Sequence, residues 1–299
     1  MNLSKSKLIP TIGKVYVIAT PIGNIEDITL RAIKVINNCQ YIFSEDTRHS
    51  KFLLKKYQQN NNHKFVSLFE YNQKQRITTA ISLLKKGNNI AVVSDAGTPA
   101  ISDPGAIFIK ELSKENIEII PIPGACAAVS AYSVSGIENS SFYFQGFLPD
   151  KKNKLNRTLQ KIVDCDVPVI IYEAPHRLYQ TINAMLKIFN PQHQIFIARE
   201  MTKVYEEYLL TNLEDLLHRL SEKGKQNNKG EWVLIIPPTH KKVGVSNSPN
   251  NGQTQQIADT LILELKNKLS NSQLARIIHK ATKIDRKEIY QKITSNGNN

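Results

Sequence analysis

Cysteine is scarce in this chain of 299 residues: Cys39, Cys126 and Cys165 are its only three, and no ligand spacing relates them. That excludes a disulfide scaffold and argues against a zinc site or any other metal centre. Long apolar runs are missing as well. Lys5 and Lys7 precede an apolar stretch, but Pro10, Gly13 and Pro21 break it. Neither a secretory leader nor a membrane span is expected, and the chain reads as cytoplasmic with no membrane partner. Neither GxGxxG nor GxxxxGK[ST] occurs, which sets aside a dinucleotide dehydrogenase and a P-loop ATPase. Negative charge is in short supply: 26 Asp and Glu face 39 Lys and Arg, a net +13. Such an excess favours a polyanion, nucleic acid ahead of membrane because no basic amphipathic helix stands out. Plain solubility is the alternative reading of that charge.

What is present is a globular composition, 41% hydrophobic and 22% charged, with length enough for two domains. The central stretch runs from Val92 to Gly105. An apolar run ends at a carboxylate, Asp95, then opens into a loop of small residues containing Gly97, Pro99, Pro104 and Gly105. A strand end of this kind is where open α/β sheets hold ligands. Glycine permits close approach, and proline stiffens the loop so that less entropy is lost on binding. The competing reading is a tight strand-to-helix turn with Asp95 as a cap.

The same logic repeats along the chain. Strands are expected at 14–19, 41–43, 65–68, 90–93 and 117–122, alternating with helices that include 73–86 and 125–134, the helix with Leu30, Ile33 and Ile36 being capped by Asp27. This alternation predicts a parallel sheet covered on both faces. Regularity pauses near 136–141. A second set follows, with strands at 142–147, 167–172, 194–198, 204–210 and 231–236 and helices through Arg157 and over 177–188 and 213–221, Pro175 suiting a helix first turn. A polar segment rich in Asn and Ser reads as a linker, and beyond it three short helices carry Lys and Arg in a helix-turn-helix-like pattern, or form a plain helical bundle. The expected organisation is a leader at 1–13, an N-terminal α/β domain at 14–138, a second at 139–240, a linker at 241–254 and a helical domain at 255–299.

Several motifs come in a telling order: Thr20-Pro21-Ile22-Gly23-Asn24, Glu45-Asp46-Thr47-Arg48, Val93 to Gly105, Pro123-Gly124-Ala125, Gly146-Phe147-Leu148-Pro149, Tyr172 to Arg177, Arg199 to Lys203, and Gly230-Glu231-Trp232. Over roughly residues 14–237 this order resembles the tetrapyrrole methylase superfamily, and more closely its ribosomal RNA branch, the small-subunit rRNA cytidine 2′-O-methyltransferases. The resemblance implies two α/β domains of the class III S-adenosylmethionine methyltransferase type, with that cofactor in the cleft between them. It also implies a small C-terminal helical domain and a homodimer.

By position, Pro21, Asp95, Ala96, Gly97, Thr98, Pro99, Cys126, Ala127, Tyr172, Ile197 and Ala198 would line the cofactor site. Cys126 stands where relatives usually have Ser. The reaction implied is metal-free methyl transfer to a cytidine 2′-hydroxyl of 16S rRNA within the small subunit. Glu45, Asp46, Glu173 and Lys203 are the candidates to take the proton, although ion pairs with Arg48 or Arg177, or a phosphate contact for Lys203, explain them equally well. His176 is read as a positioning donor, and Glu231 as structural. RNA contacts are expected from Arg48, Lys151, Lys152, Lys154, Arg157, His176, Arg177, Arg199, Lys203 and the C-terminal helices. The rival functions are C-methylation of a tetrapyrrole and a non-enzymatic RNA-binding or assembly factor.

Overall fold

A computed structural model describes residues 12–57, 62–222, 229–239, 251–266, 268–282 and 284–295; for 251–256 and 295 it describes the helical backbone alone. These residues form two compact units, one up to Thr239 and one after it.

The first unit opens with β1 (Val15–Ile18), α1 (Leu30–Asn38), β2 (Tyr41–Ser44), α2 (Thr47–Lys55), β3 (Lys64–Ser67), α3 (Gln73–Lys85), β4 (Ile90–Val93), α4 (Ala106–Lys114), β5 (Ile119–Ile122) and α5 (Ala127–Ser133). The five strands pair in parallel in the order β3-β2-β4-β1-β5. Register places Ile18 beside Val93 and Ile122, and Ser44 beside Val93. The carboxyl ends of β1, β2, β4 and β5 therefore stop level along one edge. Side chains alternate across the sheet. Val15, Phe43, Ile90 and Val92 pack under Ala80 and Leu84 of α3 and Phe108 and Leu112 of α4. Ile18, Ile42, Ala91 and Val93 pack against Ala32 and Ile36 of α1 and Leu54 of α2. Both faces are covered, so the strands carry apolar residues at consecutive positions.

The chain continues through β6 (Tyr143–Phe147), α6 (Lys152–Val163), β7 (Val169–Glu173), α7 (Pro175–Met185), β8 (Gln194–Arg199), β9 (Glu207–Asn212), α8 (Leu213–Glu222) and β10 (Trp232–Ile236). This second sheet is mixed, in the order β6-β7-β10-β8-β9, with only the β6–β7 pair parallel. One face packs on α6, α7 and α8. The other, carrying Ile170, Phe196, Ala198, Val233 and Ile235, meets Ala128 and Ala131 of α5. Helix α5 leaves the end of the first sheet and lies on the second. Its buried face is alanine, which lets the helix approach the strands closely.

Two local expectations change in this unit. Asp27 does not cap α1: Thr29 does, its Oγ1 accepting the Ala32 N–H at 3.1 Å, while Asp27 sits in a short 3-10 turn opened by the Asn24 side chain. Both are good capping residues, and the one immediately before the helix wins. The strand expected over 204–210 begins only at Glu207, because Glu200 and Thr202 take left-handed backbone (φ 49° and 65°) and the Glu206 carboxylate folds back onto the Thr202 N–H at 2.8 Å. Val204 and Tyr205 are consequently exposed.

The second unit holds α9 (Asn251–Leu265), α10 (Asn271–Thr282) and α11 (Arg286–Ser295) around Ile262, Leu274, Ile278, Ile289 and Ile293. Helix α9 starts inside the segment read as linker to 254; residues 241–250, like residues 1–11 of the leader, lie outside the described residues. Asp285 caps α11, accepting from the Lys287 N–H at 2.8 Å.

Ala131 is fully buried on α5. Ala131→Leu should overpack the junction between the two sheets and cost about 1–3 kcal/mol, while Val129→Ala, at an exposed position of the same helix, should stay within about 0.5 kcal/mol. Urea unfolding midpoints of the two variants check this.

Candidate active site

Strand β2 runs on toward β3, whereas β4 crosses to β5. The connections diverge between β2 and β4, which makes that edge of the sheet a topological switch point. Four loops rise there and are tied to one another. Thr20 and Gly97 form an isolated bridge, the Thr20 N–H donating to the Gly97 carbonyl at 2.9 Å and the Gly97 N–H to the Thr20 carbonyl at 3.0 Å. Thr20 Oγ1 donates to the Ser94 carbonyl (3.2 Å), and Ser94 Oγ to the Gly97 carbonyl (3.1 Å). Thr98 Oγ1 donates to the Ala125 carbonyl (3.1 Å), fastening the loop after β4 to the loop after β5. The Asp46 N–H donates to Asp95 Oδ1 (3.3 Å), and the His49 ring lies 3.1 Å from the Asp95 carbonyl, fastening it to the β2 loop.

Gly97 has φ 76°, and a Cβ there would stand 3.3 Å from Ile22 Cγ2; at Gly124 it would stand 2.9 Å from Ala19 Cβ. The loops are therefore held in a cradle that side chains at these positions would crowd. Ala96 is exposed, Asp95 and Thr98 are half-buried, and Pro21, Gly97 and Pro99 are buried beneath them.

The second half meets this edge through α5. The Ala128 N–H donates to the Tyr172 hydroxyl at 3.0 Å, and Cys126 is half-buried beside the same ring. Burial, with Cys126 adjacent, pushes the Tyr172 phenol up to about 12. It stays a neutral phenol. Phe144 and Phe147 pack edge-on against its ring, at 5.0 and 5.7 Å between centroids. Ala198 faces α5 with Tyr172, but Ile197 points to the opposite face, among α6–α8. Only the backbone of Ile197 is offered to the site side. The Asn24 N–H donates to Thr202 Oγ1 at 2.9 Å, closing the β1 loop onto the turn after β8.

Of the four residues expected to take a proton, three are engaged elsewhere. Glu173 is buried: its Oε1 accepts the Ala174 N–H (2.9 Å) and lies 3.6 Å from Arg177 Nε, and its Oε2 accepts the Thr181 hydroxyl (2.6 Å). Lys203 sits 2.9 Å from both Glu200 and Glu231; burial works to lower its pKa, but those two carboxylates outweigh it and raise it, so the amine remains protonated. Asp46 caps α2, accepting from the Arg48 N–H at 2.8 Å, and pairs with the Arg48 guanidinium at 3.2 Å, which holds its pKa down.

Glu45 differs. Partial burial, then the neighbouring charges of Asp95 and Asp103, raise its pKa. Asp103 is raised for the same reasons, burial first and Asp95 second. Reasoning from sequence gave Asp103 no role. The available signal was its place eight positions after Asp95 in the same glycine-proline loop.

The cations divide similarly. Arg177 is 19% exposed, donates to the Leu148 carbonyl at 2.8 Å and pairs with Asp150 as well as Glu173. Arg199 donates to the Lys229 carbonyl at 2.8 Å, pairs with Glu207 and covers the Trp232 ring. Both are committed to the protein's own interior. Arg48 (91% exposed), His176, Lys151, Lys152, Lys154 and Arg157 are left facing solvent.

A parallel sheet with cross-tied loops at its switch point, joined by an alanine-faced helix to a second, mixed sheet, is the architecture of a two-domain methylase. Residues 14–217 match the sequence profile of the Tetrapyrrole (Corrin/Porphyrin) Methylases. Solved structures agree in fold: a cobalt precorrin-4 methyltransferase from cobalamin biosynthesis superposes with a TM-score of 0.56 at 16% identity over 74% of this chain and 94% of its own. A uroporphyrin-III C-methyltransferase from Thermus thermophilus, complexed with S-adenyl homocysteine, does so with a TM-score of 0.52 at 14% identity over 74% and 97%.

Sequence relatives are nearer. The Ribosomal RNA small subunit methyltransferase I of Neisseria meningitidis serogroup B is 38% identical over 280 residues, 93% of this chain and 92% of the relative. That of Halalkalibacterium halodurans is 43% identical over 231 residues, 77% and 78% of the two chains. The chain belongs to the tetrapyrrole methylase family, in its branch of small-subunit ribosomal RNA methyltransferases.

Glu173→Ala, by leaving the buried Thr181 hydroxyl and the Ala174 N–H without their acceptor, should cost about 1–3 kcal/mol of folding stability, whereas Glu45→Ala should stay within about 0.5 kcal/mol. Denaturant melts of the two variants separate a structural carboxylate from a functional one.

Proposed function

We propose that this protein uses S-adenosylmethionine to methylate the ribose 2′-hydroxyl of a cytidine in 16S rRNA of the small ribosomal subunit, acting as a homodimer. The observation that carries the reading is the cross-tied cradle of Gly97 and Asp95 on a chain that matches small-subunit rRNA methyltransferases over 93% of its length. The cradle fits the cofactor. Its backbone turns tightly at left-handed Gly97, and half-buried Asp95 offers a carboxylate toward hydroxyl or amine groups. Cys126, Ala127, Tyr172 and Ala198 supply a largely apolar wall from the second half.

When bound, S-adenosylmethionine supplies the methyl group, an O–C bond forming at the ribose as the sulfonium C–S bond breaks. The protein's task is to aim the hydroxyl and receive its proton. Glu45 takes that proton. Its raised pKa improves it as a base relative to an ordinary glutamate, and Asp103 beside it keeps the pair's affinity for a proton high. Neutral Tyr172 closes the apolar side, and the Glu200–Lys203–Glu231 triad holds the turn that receives the β1 loop. The exposed Lys151, Lys152, Lys154 and Arg157 at the start of α6, with the C-terminal helices, hold RNA phosphates.

Small subunits lacking native modifications should accept label from S-adenosylmethionine, and nucleoside digestion should return it as 2′-O-methylcytidine. Label in a different nucleoside would overturn the cytidine assignment. No label in RNA, with a porphyrin precursor methylated instead, would overturn the rRNA reading. Glu45→Gln should lower kcat by about 10²–10⁴ with cofactor affinity unchanged. Because the base works deprotonated, the wild-type rate should fall as pH drops through a value above the ordinary glutamate pKa, and that acid limb should be absent from the variant.

A further inference from the structure

Helix α2 begins at the Glu45-Asp46 corner of the site and carries on its outer side a feature that neither the cofactor cradle nor the proton acceptor explains. Arg48, Lys51, Phe52 and Lys55 recur at i, i+3, i+4 and i+7, and so share one stripe of the helix. All four are exposed, Phe52 at 70%. Residues 47–57 contain no Asp or Glu. Among the described residues no carboxylate pairs with Lys51, Lys55 or Lys56, and the carboxylate that meets Arg48 is the helix cap Asp46. The Lys51 ammonium lies 5.5 Å from the Phe65 ring centre, and that of Lys56 lies 5.9 Å from the ring of Phe52. An exposed phenyl ring among cations is poorly placed for solubility and well placed for a ligand that is both anionic and aromatic.

We infer that this face of α2 is a docking surface for single-stranded RNA, Arg48, Lys51 and Lys55 meeting phosphates and Phe52 stacking on a base. The inference rests on the rRNA reading above and adds where the strand lies as it leaves the reacting nucleotide. Geometry supports it in two ways. The helix rises about 1.5 Å per residue, so the cations extend roughly 10 Å away from the corner where Asp46 meets Asp95. The His49 ring contact to the Asp95 carbonyl and the Asp46 N–H contact to its carboxylate fix the first turn of α2 to the cradle. A strand bound along the stripe is therefore delivered at a fixed distance from the site. Base stacking on an aromatic ring and phosphate contacts to flanking cations are how proteins hold unpaired strands.

The test is titration of purified 16S rRNA across a range of salt with the full-length protein and two variants, Lys51→Gln/Lys55→Gln and Phe52→Ala. Methyl transfer by the wild type and S-adenosylhomocysteine affinity are measured alongside. Removing two phosphate contacts should flatten the slope of log affinity against log salt by about 1.4. Phe52→Ala should weaken binding roughly 5- to 150-fold with little change in that slope. Cofactor affinity should be unchanged in both. If both variants bind RNA as the wild type does, the surface is misassigned even though methyl transfer stands. If a variant instead alters sedimentation mass, the face is an interface between copies, and if it loses only binding to phosphatidylserine vesicles, the face is a membrane contact; either result overturns the proposal. Wild-type protein that neither binds nor methylates the RNA removes the underlying reading, and this one with it.

Discussion

The two hydrogen bonds between Thr20 and Gly97 hold together the part of the molecule on which the rest depends. They join the ends of two adjacent parallel strands, and they form because Gly97 adopts left-handed backbone that a side chain there would strain. With those ends joined, Ser94 and Thr98 find carbonyl partners, Asp95 is presented to the β2 corner, and the loop after β5 is fixed. The orientation of α5 follows from that loop. Its alanines then bring the second sheet to the same edge, with Tyr172 against the first turn. A rigid edge of this kind lets a ligand bind at little cost in ordering.

Much of the first half is legible in the sequence because it is a doubly covered parallel sheet. Its strands are short apolar runs stopped by polar or glycine-proline loops, and its helices repeat at helical spacing. The second half is harder to read in detail. Its antiparallel pairing depends on contacts distant in sequence, and the turn after β8 carries left-handed Glu200 and Thr202, residue types that advertise no such conformation. Thr29 and Asp27 are equivalent caps on paper, and only the start of α1 decides between them.

At the site, sequence locates the loops but not the commitments of their side chains. Glu173, Lys203, Arg177 and Arg199 are all of the right type for chemistry or RNA, yet each is consumed by a partner brought from elsewhere in the fold: Thr181, Glu231, Leu148 and Lys229 respectively. Composition cannot reveal such pairings. With those pairings taken up, the exposed cations of α2 are left without such commitments, and its basic stripe does not stand out in the sequence because it is only one short helix long. Subtracting Glu173, Lys203 and Asp46 from the candidates for proton transfer leaves Glu45, whose pKa is raised first by partial burial and then by the neighbouring charges of Asp95 and Asp103.

The central claim is that one cofactor is held jointly by the loop after β4 and by the α5–β7–β8 wall of the second half. Amide hydrogen exchange with and without S-adenosylhomocysteine tests it most directly. Exchange should slow at residues 94–99 together with residues 126–132, 172–173 and 198–201, all with the same dependence on ligand concentration. Protection confined to one half, or absent from residues 94–99, would contradict it.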